Sequence, residues 1–139
     1  MNEKLMEYFN KQPRLGTLST AGKDGKVNVA YFGSPRMTDP KTVLMGLGNN
    51  RTLANLKENP RAAYMIMEPG NTLPEWKGVR LYLKATEIDM EGNKLEQIRA
   101  LIAEKAGPNA AKIIQAAVTF EVLEIRPLAD FGQGWEKSI

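Results

Sequence analysis

The segment from Gly78 to Met90 constrains the fold most strongly, because apolar side chains alternate with other types along it. Successive side chains of a β-strand point to opposite faces of a sheet. One face would carry the apolar side chains of Val79, Leu81, Leu83 and Ala85. The other face would carry Arg80, Tyr82, Lys84 and Thr86. This alternation predicts a long strand in an antiparallel sheet with one buried face.

Five further segments have the composition or alternation of strands, and turn residues separate several of them. They are 14–20, 27–33, 42–48, 61–67 and 118–126. Asp24-Gly25 predicts a tight hairpin turn between the first two. In the last segment, Leu123 and Ile125 break the phase set by Phe120 and Val122, which indicates a bulge or a two-sided environment.

Four helical patterns surround these strands. They are an N-terminal helix capped by Asn2, residues 53–59, a helix from a possible Asn93/Glu96 capping box to Gly107-Pro108, and a short helix from about Asn109. We therefore predict a mainly β fold with peripheral helices, forming one domain over residues 1–139. Short strands separated by turns favour a small antiparallel barrel of about six strands.

The chain of 139 residues contains no cysteine and no histidine. Disulfides and thiol nucleophiles are therefore excluded, and the commonest general acid–base and metal ligand is missing. If the protein is an enzyme, we expect a cofactor to carry the chemistry.

The net charge is +3, and the basic residues are scattered among acidic ones. This pattern does not indicate nucleic acid binding, whereas a small anionic ligand suits it. No apolar run approaches membrane-spanning length and no signal peptide is recognisable, so we expect no membrane partner and a cytoplasmic location.

The stretch from Gly46 to Leu56 predicts a strand, a polar turn and the start of a helix. The first turn of a helix has free backbone N–H groups and the positive end of the helix dipole. Arg51 and Thr52 would add a guanidinium and a hydroxyl, which makes an anion site suited to a phosphate. The alternative is an ordinary helix start, with Asn50 or Thr52 as the cap and Arg51 in solvent.

The order of several motifs along the chain resembles one protein family. After the first helix come Gly-Thr-Leu-Ser-Thr (16–20), Asp24-Gly25, Val-Asn-Val-Ala-Tyr-Phe-Gly-Ser (27–34), Asn-Asn-Arg-Thr (49–52), Asn-Leu (55–56) and Asn-Pro-Arg-Ala (59–62). This order resembles the FMN-binding split-barrel family, the pyridoxamine 5′-phosphate oxidase-like flavoproteins. The resemblance implies a six-stranded antiparallel split β-barrel that forms a homodimer with FMN at the subunit interface.

The resemblance also implies which residues bind the cofactor. Arg51 and Thr52 would hold the phosphate, while Leu47, Gly48 and Asn49 would flank the phosphate and ribityl chain. The flavin would lie along Ala30, Tyr31, Phe32, Gly33 and Ser34, mainly through backbone groups. Trp135 is the candidate to close the pocket from the partner chain. The alternative for this tail is that Phe131 and Trp135 pack on their own barrel.

The chain also departs from parts of the family. The vitamin B6 oxidases use an Arg-x-His type motif and the haem-degrading relatives use a histidine ligand, and this chain has no histidine. We therefore expect an FMN-binding oxidoreductase with an unidentified small-molecule redox partner. Two alternatives stay open: a reductase that uses deazaflavin F420 in place of FMN, and a flavin carrier without turnover.

Overall fold

The computed structural model describes residues 2–139, and the side chain of Asn2, the predicted first cap, lies outside the described part. Within these residues the helices are α1 (Asn2–Asn10), α2 (Arg51–Glu58), α3 (Asn93–Ala106) and α4 (Pro108–Lys112). The strands are β1 (Gly16–Ala21), β2 (Val27–Tyr31), β3 (Arg36–Asp39), β4 (Thr42–Leu47), β5 (Arg61–Glu68), β6 (Lys77–Asp89) and β7 (Ala116–Pro127). Short 3₁₀ turns occupy Leu73–Glu75 and Trp135–Lys137.

All strand pairs are antiparallel, and the strands form one sheet in the order β2-β1-β5-β6-β7-β4-β3. The sheet wraps around a common core as a split barrel, with β2 and β3 as its two end strands. The predicted mainly β antiparallel class is therefore confirmed. No helix of the described residues is long and apolar enough to cross a membrane.

Strand β6 has the predicted alternation. Val79, Leu81 and Leu83 are buried, whereas Arg80 and Tyr82 are only partly buried on the outer face. The bulge predicted near the end of the chain is also present, because Tyr82 pairs with Glu124 while Leu83 pairs with Val122. Leu123 therefore has no partner in this ladder, which explains the break in its apolar phase.

The sheet contains one strand more than the six predicted. The additional strand is β3, whose four residues lie outside all six predicted strand segments. Met37 is its only buried residue, so the segment is too short to show a periodic pattern. The predicted Asn93/Glu96 capping box is wrong: Gly92 precedes α3 without a side-chain cap, and Glu96 instead accepts a hydrogen bond from Arg99.

The hairpin turn at Asp24-Gly25 is confirmed. Gly25 has a φ of +83°, a conformation that glycine adopts without steric cost. The Asp24 carboxylate accepts a hydrogen bond from the Lys26 amide at 3.1 Å, which closes the turn.

The core lies inside the barrel and is closed by the first helix. Leu5 and Phe9 of α1 are almost fully buried and join a cluster supplied by six of the strands and by α2. Helices α3 and α4 lie outside the barrel, and Ile98 of α3 packs near β4 together with Ile114, which follows α4. Gly46 permits this close approach, since a Cβ there would stand 2.7 Å from Ile98 Cγ2.

A core substitution provides a test of this arrangement. Leu81 is fully buried in β6, so Leu81→Ala should lower the free energy of unfolding by about 2–5 kcal/mol. Leu123→Ala is the matched control, because the same atoms are removed from a side chain that is 41% exposed. Denaturant unfolding of both variants measures the difference, and equal losses would contradict this assignment of the core.

Candidate functional site

A cavity of about 530 Å³ lies outside the barrel, between the segment that follows β2 and the two helices α3 and α4. One wall consists of Tyr31, Phe32, Gly33, Ser34, Pro35 and Arg36. The opposite wall is largely apolar and includes Leu101, Ile102, Ala106, Ala110, Ile113 and Ile114. Gly46, Gly48 and Asn50 line the cavity where β4 leads into α2. Its volume is typical of a small-molecule site.

The segment 32–36, which we call the anchored wall, is held by hydrogen bonds to its backbone carbonyls. The Tyr64 hydroxyl donates to Phe32 O at 2.6 Å. The Arg14 guanidinium donates to Gly33 O at 2.6 Å and to Pro35 O at 2.5 Å. It also donates to Phe9 O at the end of α1. The barrel core and the first helix therefore fix the anchored wall.

Arg14 is buried, with only 6% of its surface exposed. Its guanidinium lies against the rings of Phe9 and Tyr64, at 5.0 and 5.6 Å from their centroids. In the described residues no carboxylate pairs with it within 4.0 Å. Burial lowers the pKa of Arg14 and raises the pKa of Tyr64 to about 12. Both side chains are hydrogen-bond donors, since an arginine is not deprotonated in proteins and a tyrosine keeps its proton at neutral pH.

The hydrogen bonds of the anchored wall leave two of its amides free, those of Gly33 and Ser34. In a trans peptide the C=O and N–H groups point in opposite directions. Since the carbonyls of Phe32 and Gly33 point to Tyr64 and Arg14, the N–H groups of Gly33 and Ser34 point away from these anchors. Within the described part of the chain, neither N–H has a hydrogen-bond acceptor. The wall therefore offers donors to a ligand.

The adjoining residues of α1 and its exit loop support the same wall. The Asn10 side chain makes two hydrogen bonds to the backbone of Met37. It donates to the Met37 carbonyl at 2.9 Å and accepts from the Met37 amide at 2.8 Å. Gln12 donates to Gly33 O at 2.9 Å. Both side chains also line the cavity, so the N-terminal region contributes to the site directly.

The start of α2 has the geometry of a capped helix. Asn50 is the cap, and its side chain accepts a hydrogen bond from the Leu53 amide at 2.9 Å. The amides of Arg51 and Thr52 remain without a partner inside the helix. Arg51 is exposed and Thr52 is buried. The structure thus contains the capped helix start that was the alternative interpretation, and its remaining amides are still able to donate hydrogen bonds to an anion.

The charged residues that line the cavity are Arg36 and Lys105, and both are basic. No carboxylate belongs to the lining within the described residues. No cluster of three potential metal-ligating residues occurs in the same part of the chain. This lining favours an anionic or electron-rich ligand over a cation.

Of the residues predicted to bind the cofactor, five line the cavity: Tyr31, Phe32, Gly33, Ser34 and Gly48. Asn49 and Arg51 adjoin the lining residue Asn50 in the chain and Thr52 follows Arg51, but none of the three is part of the lining. Ala30 is half-buried in β2, and Leu47 is fully buried in the barrel core.

Trp135 does not line this cavity. It packs against the barrel core of its own chain, and Ser138 fixes the tail through the Gly78 and Leu128 amides, at 2.7 and 3.1 Å. Phe131 remains 85% exposed. Within one chain Trp135 therefore follows the packing alternative, and a place over the flavin of a partner chain stays a prediction.

The sequence did not reveal two parts of the site. The first is Arg14, a single charged residue before a strand, which no spacing or motif distinguishes. The second is the helical wall. Leu101 and Ile102 fall within the helix predicted to end at Gly107-Pro108, but an apolar helix face does not show which part of it borders a cavity. The apolar face itself was the available signal.

Seven antiparallel strands around one core, with a cavity at their side, define a split-barrel β protein. The family model for pyridoxamine 5′-phosphate oxidase matches residues 1–129. The chain therefore belongs to the pyridoxamine 5′-phosphate oxidase family, which confirms the resemblance found in its motifs.

One curated relative and two solved structures share 28%, 24% and 16% sequence identity with this chain. An uncharacterized protein of Methanocaldococcus jannaschii is 28% identical, over 70% of this chain and 77% of its own. A crystal structure of an FMN-binding protein from Syntrophomonas wolfei subsp. wolfei has a TM-score of 0.82 at 24% identity, covering 93% of this chain and 86% of that one. An F420 reductase has a TM-score of 0.66 at 16% identity, covering 86% and 94%. These structures share the fold.

Removal of one wall anchor tests the description of the site. Tyr64→Phe would leave the partly buried Phe32 carbonyl without its donor, so the free energy of unfolding should fall by about 1–3 kcal/mol. Tyr82→Phe is the matched control, because the Tyr82 hydroxyl lies on the outer face and accepts only from Arg80. Denaturant unfolding compares the two, and a smaller loss for Tyr64→Phe than for Tyr82→Phe would contradict the anchoring.

Proposed function

We propose that the protein binds FMN in this cavity and acts as a flavin-dependent oxidoreductase. One observation carries the proposal: the anchored wall, with its free amides, and the capped start of α2 border the same cavity. The ring would lie along residues 30–34, and the phosphate would lie at Arg51 and Thr52 with Leu47, Gly48 and Asn49 beside it. The family membership and the FMN-binding structural neighbour support this assignment.

The residues present fit such a cofactor. The cavity volume suits a ligand of this size, and the apolar helical wall faces a wall made of backbone and small side chains. A flat ring between these walls would meet Leu101 and Ile113 on one side and the amides of Gly33 and Ser34 on the other. Bound FMN would supply hydride or electron transfer, while the protein orients the ring and excludes water.

We also propose that the site lies at the interface of a homodimer. Val27, Val29 and Tyr31 of the end strand β2 are 85%, 64% and 62% exposed on one face. Exposed apolar patches of this kind are typical of protein–protein contacts. Tyr31 belongs both to this face and to the cavity lining, so a second copy covering the face would reach the cavity. Trp135 remains our candidate for the partner's contribution.

F420 is the second candidate cofactor. A second cavity of about 180 Å³ adjoins the first. Lys94 also lines the second cavity, and five residues line both: Ser34, Arg36, Gly46, Leu101 and Ile102. A longer anionic cofactor could extend there, and an F420 reductase shares the fold. Mass analysis of the cofactor retained on purification separates the two. Reduction of the bound flavin by NADH or NADPH would argue against a carrier without turnover.

The phosphate assignment predicts a selective effect of Arg51→Ala. Charged hydrogen bonds contribute roughly 1.5–3 kcal/mol, so FMN affinity should fall by about one to two decades. Riboflavin, which lacks the phosphate, should lose much less. Arg61→Ala removes another exposed guanidinium and should leave both affinities unchanged. Flavin fluorescence titrations measure all four constants, and equal losses for FMN and riboflavin in Arg51→Ala would place the phosphate elsewhere.

The interface assignment predicts that Val29→Glu produces a monomer, because the new carboxylate would be buried without a partner when the copies meet. Leu73→Glu makes the same kind of change in a loop outside this face, at a side chain that is 86% exposed, and should remain dimeric. Sedimentation at micromolar concentration measures both. If Val29→Glu sediments as the parent protein does, the β2 face is not the contact.

A further inference from the structure

Arg14 is a buried cation directly behind the anchored wall, and no carboxylate of the described residues lies within 4.0 Å of it. Its guanidinium binds neutral carbonyl oxygens, two of which belong to the cavity-lining residues Gly33 and Pro35. Its Nε atom is buried without any described partner. The positive charge is therefore compensated by dipoles and ring faces only, and one peptide group separates it from the cavity.

This arrangement acts on a ligand in two ways. The bond to Gly33 O fixes the peptide whose N–H is that of Ser34, so the donor is oriented before any ligand arrives. The charge also polarises that peptide, which strengthens its N–H as a donor. Arg36 and Lys105 have the same sign at the cavity lining, and no described lining residue is acidic. All of these contributions favour negative charge inside the cavity.

Resting on the proposed binding of FMN, we propose that Arg14 is a positioning residue that makes the site bind reduced FMN more tightly than oxidised FMN. A hydride equivalent, two electrons and one proton, gives the neutral oxidised ring a net charge of −1. The reductant in the test is dithionite, which supplies the electrons, and water supplies the proton. A positive charge one peptide away then favours the reduced form.

The expected size follows from the placement of the charge. At an effective dielectric constant near 20, a unit charge several Å away changes the relative affinity on the order of tenfold or more. Tyr64 provides an internal comparison, because it holds the neighbouring peptide of the same wall through a neutral hydroxyl. Loss of the Tyr64 anchor disturbs the wall without removing a charge.

The experiment measures the midpoint potential of free and bound FMN by dithionite titration against a reference dye. Together with the affinity for oxidised FMN, it gives the affinity for reduced FMN by a thermodynamic cycle. Wild-type protein should bind reduced FMN about tenfold more tightly than oxidised FMN. Arg14→Lys keeps the charge but loses the planar fork. It should weaken both affinities and preserve most of their ratio.

Arg14→Met removes the charge, and its ratio should fall toward one. Tyr64→Phe should weaken binding of both forms alike and keep the wild-type ratio. If Arg14→Met does not fold, the wild-type ratio and the Arg14→Lys and Tyr64→Phe variants still decide the matter. A wild-type ratio of one or below, or an unchanged ratio in Arg14→Met, overturns this inference while FMN binding stands. Failure of wild-type protein to bind FMN overturns the proposed function and this inference with it.

Discussion

One buried guanidinium determines the position of the cavity wall. Residues 33–35 lie between the β2 and β3 ladders and have no strand partner of their own. Arg14 supplies donors to two of their carbonyls, and Phe9 and Tyr64 hold the guanidinium in place through their rings. Since a buried carbonyl without a donor is costly, the wall depends on this contact. Residues packed in the barrel core therefore hold the cavity wall in position.

The two walls of the cavity offer different chemical groups, backbone on one side and aliphatic side chains on the other. The anchored wall is a segment of backbone in which the carbonyls of Phe32, Gly33 and Pro35 are bonded to Tyr64 and Arg14, while the amides of Gly33 and Ser34 point away from these anchors. The helical wall presents aliphatic side chains and rests on β4, where Gly46 allows Ile98 and Ile114 to approach closely. A flat, electron-rich molecule meets donors on one side and apolar contacts on the other. This complementarity supports the proposal that FMN binds in this cavity.

The sequence predicted the fold well wherever a pattern repeated over many residues. The alternation of β6, the Asp24-Gly25 turn and the bulge at Leu123 are all present. Short or long-range features were not predictable. Strand β3 has one buried side chain, and Arg14 acquires its role only when α1, β5 and the 32–36 segment meet. The Asn93/Glu96 motif failed because Gly92 takes the cap position. The ligand contacts proposed for Arg51, Thr52 and Trp135 remain predictions.

The most direct test of the central claim is the identity and amount of cofactor on the protein. The visible spectrum of freshly purified protein, followed by heat release and mass analysis, measures both. The account predicts a flavin spectrum, the mass of FMN, and up to one molecule per chain, with full occupancy restored by added FMN. Release of F420, or a colourless protein that takes up no added FMN, would contradict it.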